Sequence, residues 1–203
     1  MGLILNRRRE MGGKSLPYDA EIEYLESTGT QWIDTGIRIT PSCKIELSVI
    51  GTNDSDTVIF GANNGSAYNL GAVELGYQNT AMTPLYPTSN SSSTYLVYPY
   101  TVGTKYDISY TFSSCTINGN TQTFSAYQSY VANRTLYIYA TNRGSAIGQC
   151  SAKLYYFKIY NGTTLVFDAI PVRVGQVGYL YDKVTGNFFS NSGSGSFTLG
   201  PDV

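Results

Sequence analysis

Glu23-Tyr-Leu-Glu-Ser-Thr-Gly-Thr-Gln-Trp-Ile-Asp-Thr-Gly-Ile37 holds the only tryptophan of the chain, and its spacing decides the fold class. It reads as strand, turn, strand. Ile22 and Tyr24 point one way and Glu21, Glu23 and Leu25 the other. After the break at Ser27-Thr-Gly-Thr30, Ile33 and Ile37 share a face opposite Trp32 and Asp34. A helix has no use for period-two spacing, so the stretch predicts paired strands.

The same grammar of short strands and glycine turns continues outward. Ile45, Leu47 and Val49 alternate with Lys44, Glu46 and Ser48, as do Tyr106, Ile108, Tyr110 and Phe112 with Asp107, Ser109 and Thr111. Ile117-Asn-Gly-Asn120 is a tight-turn signal that predicts a hairpin with arms from about Phe112 and to about Phe124. Leu136, Ile138 and Ala140 against Tyr137 and Tyr139 predict another strand. Lys153-Leu-Tyr-Tyr-Phe-Lys-Ile-Tyr160 is apolar on both faces, which predicts a central strand covered on both sides, followed by a turn at Asn161-Gly162 and a strand to Val174. Tyr179 to Phe189 predicts a last hairpin. Between Ala62 and Gly103 the pattern dissolves into Asn, Ser, Thr, Gly and Tyr, with Pro84, Pro87 and Pro99 against regular ladders, so long functional loops with irregular strands are expected there. The fold expected is all-β, a two-sheet antiparallel β-sandwich with an extended N-terminal arm.

Composition bounds the function classes. A chain of 203 residues suits one all-β domain. Nineteen tyrosines and 21 glycines with 13% charged residues favour strands and turns over helices. Arg7, Arg8, Arg9 and Lys14 against Glu10 make the first 14 residues cationic, and the remainder mildly anionic at a net charge of −1 overall. The expected division is therefore a basic docking arm at 1–20 and a sandwich at 21–203. Leu3, Ile4 and Leu5 serve as apolar anchors and Arg7, Arg8 and Arg9 as the charged part. Three arginines neutralise few phosphates, so docking on a protein surface is expected over nucleic acid. The start of the chain is too short in apolar residues for a signal-peptide core, and no run reaches membrane-spanning length. Cys43, Cys115 and Cys150 are expected as reduced, buried thiols.

Three segments together resemble a known family: Tyr24-Leu-Glu-Ser-Thr-Gly-Thr-Gln-Trp-Ile-Asp-Thr-Gly36, Leu154-Tyr-Tyr-Phe-Lys-Ile-Tyr160, and Ile170-Pro-Val-Arg173 with Gly178-Tyr-Leu-Tyr-Asp-Lys-Val-Thr-Gly186. They look like the concanavalin A-like, laminin-G-like jelly-roll proteins encoded by phages and prophages of gut bacteria. Leu3-Ile-Leu-Asn-Arg-Arg-Arg9 through Pro17 resembles the starts of such phage proteins. The resemblance implies a sandwich of two curved sheets and a place on a virion or cell surface. It implies no defined ligand, because the fold hosts lectins, hydrolases and structural modules alike.

Candidate chemistry is sparse. Histidine is absent, which removes the usual general base and the commonest zinc ligand. Glu21, Glu23 and Glu26 resemble the carboxylate strand of laminarinase-type glycoside hydrolases with Glu23 in place of the central Asp. In a regular strand, however, Glu21 and Glu23 lie roughly 6.5 to 7 Å apart with Glu26 on the other face, whereas retaining glycosidases hold their two carboxyls at about 5 to 5.5 Å. No catalytic, cofactor or metal residue is expected, and the oxygen-rich Thr52-Asn-Asp-Ser-Asp56 stretch reads as a polar turn. For sugar contact the candidates are Tyr86, Tyr95, Tyr98 and Tyr100 in the loop-rich region, while Trp32 is expected in the core or an interface. The expected function is a non-enzymatic virion structural or accessory protein, made in the host cytoplasm and anchored by its arm to other virion proteins in a symmetric assembly. The alternative is a carbohydrate-binding module for host or gut glycans, and the remote alternative a glycoside hydrolase.

Overall fold

The computed structural model describes residues 10–11, 14–55, 57–63, 72–78, 81–85, 98–123 and 132–203, which hold strands, turns and loops and no helix. The principal strands are β1 Leu25–Thr28, β2 Ile33–Asp34, β3 Cys43–Gly51, β4 Thr57–Asn63, β5 Ala72–Gln78, β6 Ala81–Leu85, β7 Lys105–Thr111, β8 Ser114–Ile117, β9 Asn120–Thr123, β10 Tyr137–Ile138, β11 Ser151–Asn161, β12 Thr164–Val174, β13 Val177–Asp182 and β14 Phe188–Phe189. One sheet runs β9-β8-β7-β3-β11-β12-β13-β14, and the other runs from Tyr98–Pro99 through β6, β5, β4 and β10 to β2. Pairing is antiparallel except along 141–149, where Thr141–Asn142 and Gln149 run parallel to β4.

The core lies between the sheets. β3 turns Ile45, Leu47 and Val49 inward, β7 Ile108 and Tyr110, and β11 Leu154, Phe157 and Ile159; from the facing sheet come Ile59, Phe60, Leu75, Tyr77 and Ile138, all buried. Phe60 crosses the gap and meets Tyr110 and Phe157 edge-on at 5.7 and 5.8 Å. Burying such a ring contributes about 1.5–3 kcal/mol. The Asn118-Gly119 turn behaves as its sequence predicts: both residues have positive φ, 48° and 81°, which matches the twist of β8 and β9.

Three expectations need correction. The opening stretch is not a hairpin, because β1 pairs with β11 in the first sheet and β2 with β10 in the second. The corner between them is held open by Gln31, whose buried carboxamide oxygen accepts the Thr28 N–H at 2.8 Å, while Ser27 Oγ donates to the Gln31 carbonyl. These bonds satisfy groups that a hairpin ladder would otherwise pair. Nor does the alternation hold through 22–25, since a bend at Glu23 turns both Ile22 and Leu25 inward.

The second correction concerns 62–103, where β5 and β6 form a regular pair with Leu75 opposite Pro84. Proline is tolerated because, among the described residues, the only further neighbour of β6 is the two-residue edge at Tyr98–Pro99. Third, β11 is central but not covered on both sides. Its register slips between Leu154 and Tyr156, which leaves Lys153, Tyr155, Tyr156, Lys158 and Tyr160 half-buried on the outer face. Within the arm expected at 1–20, Glu10–Met11 pairs with Lys14–Ser15 and Tyr18 packs on the sandwich against Tyr181 at 5.1 Å, while residues 1–9 lie outside the described residues.

Residues 20–28 fill a fork. β11 and β12 pair only from Phe157/Ala169 onward; before that point β1 lies along β11 while Ala20–Glu21 lies along Val172–Arg173. The C-terminal residues close the other side, with Thr198–Leu199 on β1 and Asp202 bridging Ile22.

Candidate functional site

Leu3, Ile4, Leu5, Arg7, Arg8, Arg9, Tyr86 and Tyr95 lie outside the described residues. Tyr98 and Tyr100 are described, and both are core residues at 4% and 3% exposure. The Tyr98 hydroxyl donates to the Cys115 carbonyl. Tyr100 stacks on Tyr77 at 4.3 Å and 16° and donates to the Asn53 carbonyl at 2.7 Å. Burial pushes both hydroxyls up to about 12. Neither ring offers a face to solvent, so the expected glycan contact fails at these two positions. A tyrosine in an alternating run looks alike in sequence whether its ring lies inside or outside.

The three glutamates do not converge. Glu21 accepts the Tyr18 hydroxyl at 2.8 Å, Glu23 is exposed on the bend, and Glu26 stands half-buried on β1 opposite Lys153. In the 52–55 turn the Asn53 side chain accepts from Tyr77. Among the described residues no group of His, Cys, Asp or Glu is arranged to hold a metal ion, and no helix is long and apolar enough to cross a membrane.

One outward aromatic pair is built more deliberately. Trp32 stacks on Tyr137 with ring centroids 4.3 Å apart and 25° between planes, and both are half-buried. The pair arises from register: Asp34 faces Tyr137 across β2 and β10, and Gly61 faces Tyr137 across β10 and β4. Ile33 and Ile138, paired on the same two strands, point inward, so Asp34 and Tyr137 must point outward. Gly61 brings no side chain to that row, which leaves it low beside the Tyr137 ring.

The C-terminal loop at 191–196 locks Trp32 in place. Asn191 Oδ1 accepts the Trp32 N–H at 3.3 Å, Ser192 N–H donates to the Trp32 carbonyl at 2.8 Å, and Gln31 Nε2 donates to the Ser196 carbonyl. Gly193 is required here, because a Cβ would stand 2.1 Å from the Thr30 carbonyl oxygen and 2.9 Å from Trp32 Cδ1. Asp34 Oδ1 accepts the Gly36 N–H at 2.9 Å. Burial, and then the nearby Asp34 carboxylate, raise the Tyr137 hydroxyl above its ordinary range. The result is an aromatic shelf beside the Asp34 carboxylate, while the Asn191 carboxamide is engaged by the Trp32 and Gly193 N–H groups and the Ser194 and Gly195 carbonyls. Such a surface can take the apolar face of a ring while the neighbouring carboxylate meets a hydroxyl group.

A second outward surface is self-contained. On the outer face of the first sheet Lys44 lies over Tyr160 at 4.3 Å, Lys105 over Tyr155 at 3.8 Å and Lys153 over Tyr24 at 4.4 Å. Lys158 and Lys183 both approach Asp168, at 3.7 and 3.2 Å. Each lysine has a partner within the chain, so this face is satisfied by its own residues.

No protein-family model matches the chain, and no curated protein matches it in sequence. Solved structures do match it in fold. A candidate carbohydrate-binding protein from Bacteroides ovatus superposes with a TM-score of 0.61 at 10% identity, over 88% of this chain and 60% of that one. The chain thus spans about three-fifths of that protein's length. A heptameric SAP-like pentraxin from Limulus polyphemus superposes with a TM-score of 0.50 at 11% identity, over 94% and 92% of the two chains. The protein is an antiparallel, two-sheet β-sandwich of the jelly-roll class.

Proposed function

We propose that this chain is a non-catalytic, lectin-like binding module that takes a glycan on the Trp32–Tyr137 shelf. The observation that carries the reading is the half-buried stacked pair, with the Trp32 backbone held by the 191–196 loop and the Tyr137 ring beside Asp34. A pre-ordered aromatic platform binds without first paying for the ordering of its side chains. The name of the Bacteroides ovatus protein, a match in fold alone, agrees with a sugar ligand. The dispersal of Glu21, Glu23 and Glu26 and the absence of histidine support binding without hydrolysis.

The test is retention on a glycan array by the full chain, with Trp32→Ala and Tyr137→Ala in parallel. Each variant is expected to weaken binding about tenfold or more, the effect of losing one central aromatic anchor. If both variants bind as the parent does, the shelf is not the site.

A second reading concerns where the module is displayed. The three segments that resemble phage and prophage jelly-roll proteins, together with the basic arm, support a virion accessory protein attached through residues 1–16 to other virion proteins. In a symmetric array weak individual glycan contacts add up. Rebinding to stripped particles, full-length against a chain lacking residues 1–16, tests it: attachment by the truncated chain removes the arm from this role.

A further inference from the structure

The Trp32–Tyr137 shelf has a half-buried negative charge at its margin. Trp32 and Asp34 stand on either side of the inward Ile33, and Asp34 faces Tyr137 in register, so the two rings and the carboxylate share one outward corner. Register partners hold their Cβ atoms about 4.5–5.5 Å apart, which brings the carboxylate beside the Tyr137 side chain. Asp34 Oδ1 accepts the Gly36 N–H at 2.9 Å. Among the described residues Oδ2 has no hydrogen-bond donor, and no lysine or arginine forms an ion pair with Asp34. After burial, the Asp34 charge is what raises the Tyr137 hydroxyl most, and Arg134 acts more weakly in the opposite sense. Arg134 is engaged elsewhere, its Nη1 donating to the Asn63 carbonyl at 2.7 Å.

The outer face of the first sheet makes the contrast. There Lys44, Lys105, Lys153 and Lys158 lie over the half-buried rings of Tyr160, Tyr155, Tyr24 and Tyr156. Among the described residues no cation lies over Trp32 or Tyr137, although the electron-rich faces of these rings stand beside a carboxylate. Building on the glycan reading above, we propose that the ligand supplies this cation and that the sugar taken on the shelf is an amino sugar with a free ammonium group. The ammonium donates to Asp34 Oδ2 and lies against the aromatic pair, while the apolar face of the sugar ring covers the rest of the shelf. N-acetylation replaces the ammonium with a neutral amide and removes both attractions. A uronic acid brings a second carboxylate beside Asp34 and is repelled.

Trp32 is the only tryptophan of the chain, so its fluorescence reports on the shelf directly. The full chain is titrated at pH 6, where the amine is protonated, with a glucosamine tetramer and with its fully N-acetylated counterpart, and both affinities are repeated by calorimetry. The glucosamine tetramer is expected to bind about tenfold more tightly, with a change in tryptophan emission. Asp34→Asn keeps an oxygen for the Gly36 N–H and is expected to bring the glucosamine tetramer down to the affinity of the N-acetylated one, which itself stays unchanged. Equal affinities in the parent, or a preference that survives Asp34→Asn, overturn the amino-sugar assignment. The glycan reading then still stands if binding is lost in Trp32→Ala, and it falls as well if no glycan of the array is retained. Choline that binds more tightly than the glucosamine tetramer also overturns the assignment, since the shelf would then take a cation without a sugar.

Discussion

Tyr139 has a φ of 65°, a backbone region where a side chain with a Cβ is strained, yet its ring is fully buried. The ring packs 5.6 Å from Phe197, and the hydroxyl donates to the Leu25 carbonyl, tying the residue after β10 to β1 of the opposite sheet. Removing that hydroxyl leaves a buried acceptor one donor short, so Tyr139→Phe is expected to cost about 1–3 kcal/mol. In urea titration this should lower the midpoint without changing the slope. Gly51 is the complementary case, where space and not a missing donor decides. A Cβ there would stand 2.0 Å from the Tyr100 hydroxyl, which is held by the Asn53 carbonyl. Gly51→Ala is expected to cost about 1–3 kcal/mol by overpacking, visible as a lowered Tm. Neither residue announces itself in the sequence, because both owe their roles to strands distant along the chain.

At the scale of elements, the N-terminal strand and the C-terminal tail hold each other and the fork between β11 and β12. Arg173 on β12 makes a two-pronged pair with Asp202, Nε to Oδ1 at 2.7 Å and Nη2 to Oδ2 at 2.6 Å. The guanidinium bond holds the Asp202 carboxyl below its usual range. A carboxyl lowered in the folded state stabilises above its unfolded value, and that contribution disappears as pH falls through the lowered folded value. The Tm advantage of the parent over Asp202→Asn should therefore be present at neutral pH and vanish in acid. High salt should also shrink it, because the pair is exposed. An unchanged difference across pH would assign the effect to packing of the tail. The Asn118-Gly119 hairpin contrasts with this ribbon: it is fully local, and its two residues read correctly from sequence because the turn demands their conformation.

For the whole molecule, the three thiols report the integrity of the sandwich. Cys43, Cys115 and Cys150 are free and buried, as the absence of paired spacing suggested. Burial pushes the Cys115 thiol up to about 12 and Cys150 further, so neither forms thiolate near neutral pH. A thiol reagent at pH 8 should find no reactive cysteine in the folded protein and all three after denaturation. Reaction at full rate before unfolding would mean that the sheets open locally.

The sequence by itself determined the all-β class, the long strands β3, β7, β11 and β12, and the turns at Asn118-Gly119 and after Asp182, because period-two burial and positive-φ turns are local properties. Only the tertiary structure decided which sheet each short strand joins. The stretch at 23–37 reads as one hairpin, but its two strands part to opposite sheets once the Gln31 carboxamide replaces the ladder bonds. The same holds for the candidate shelf. Whether Trp32 packs inward or stands beside Tyr137 depends on a pairing between residues 34 and 137, and whether Tyr100 is platform or core depends on Tyr77 and Gly51. Alternation tells that a side chain takes one of two faces; the packing of distant strands chooses which face meets water.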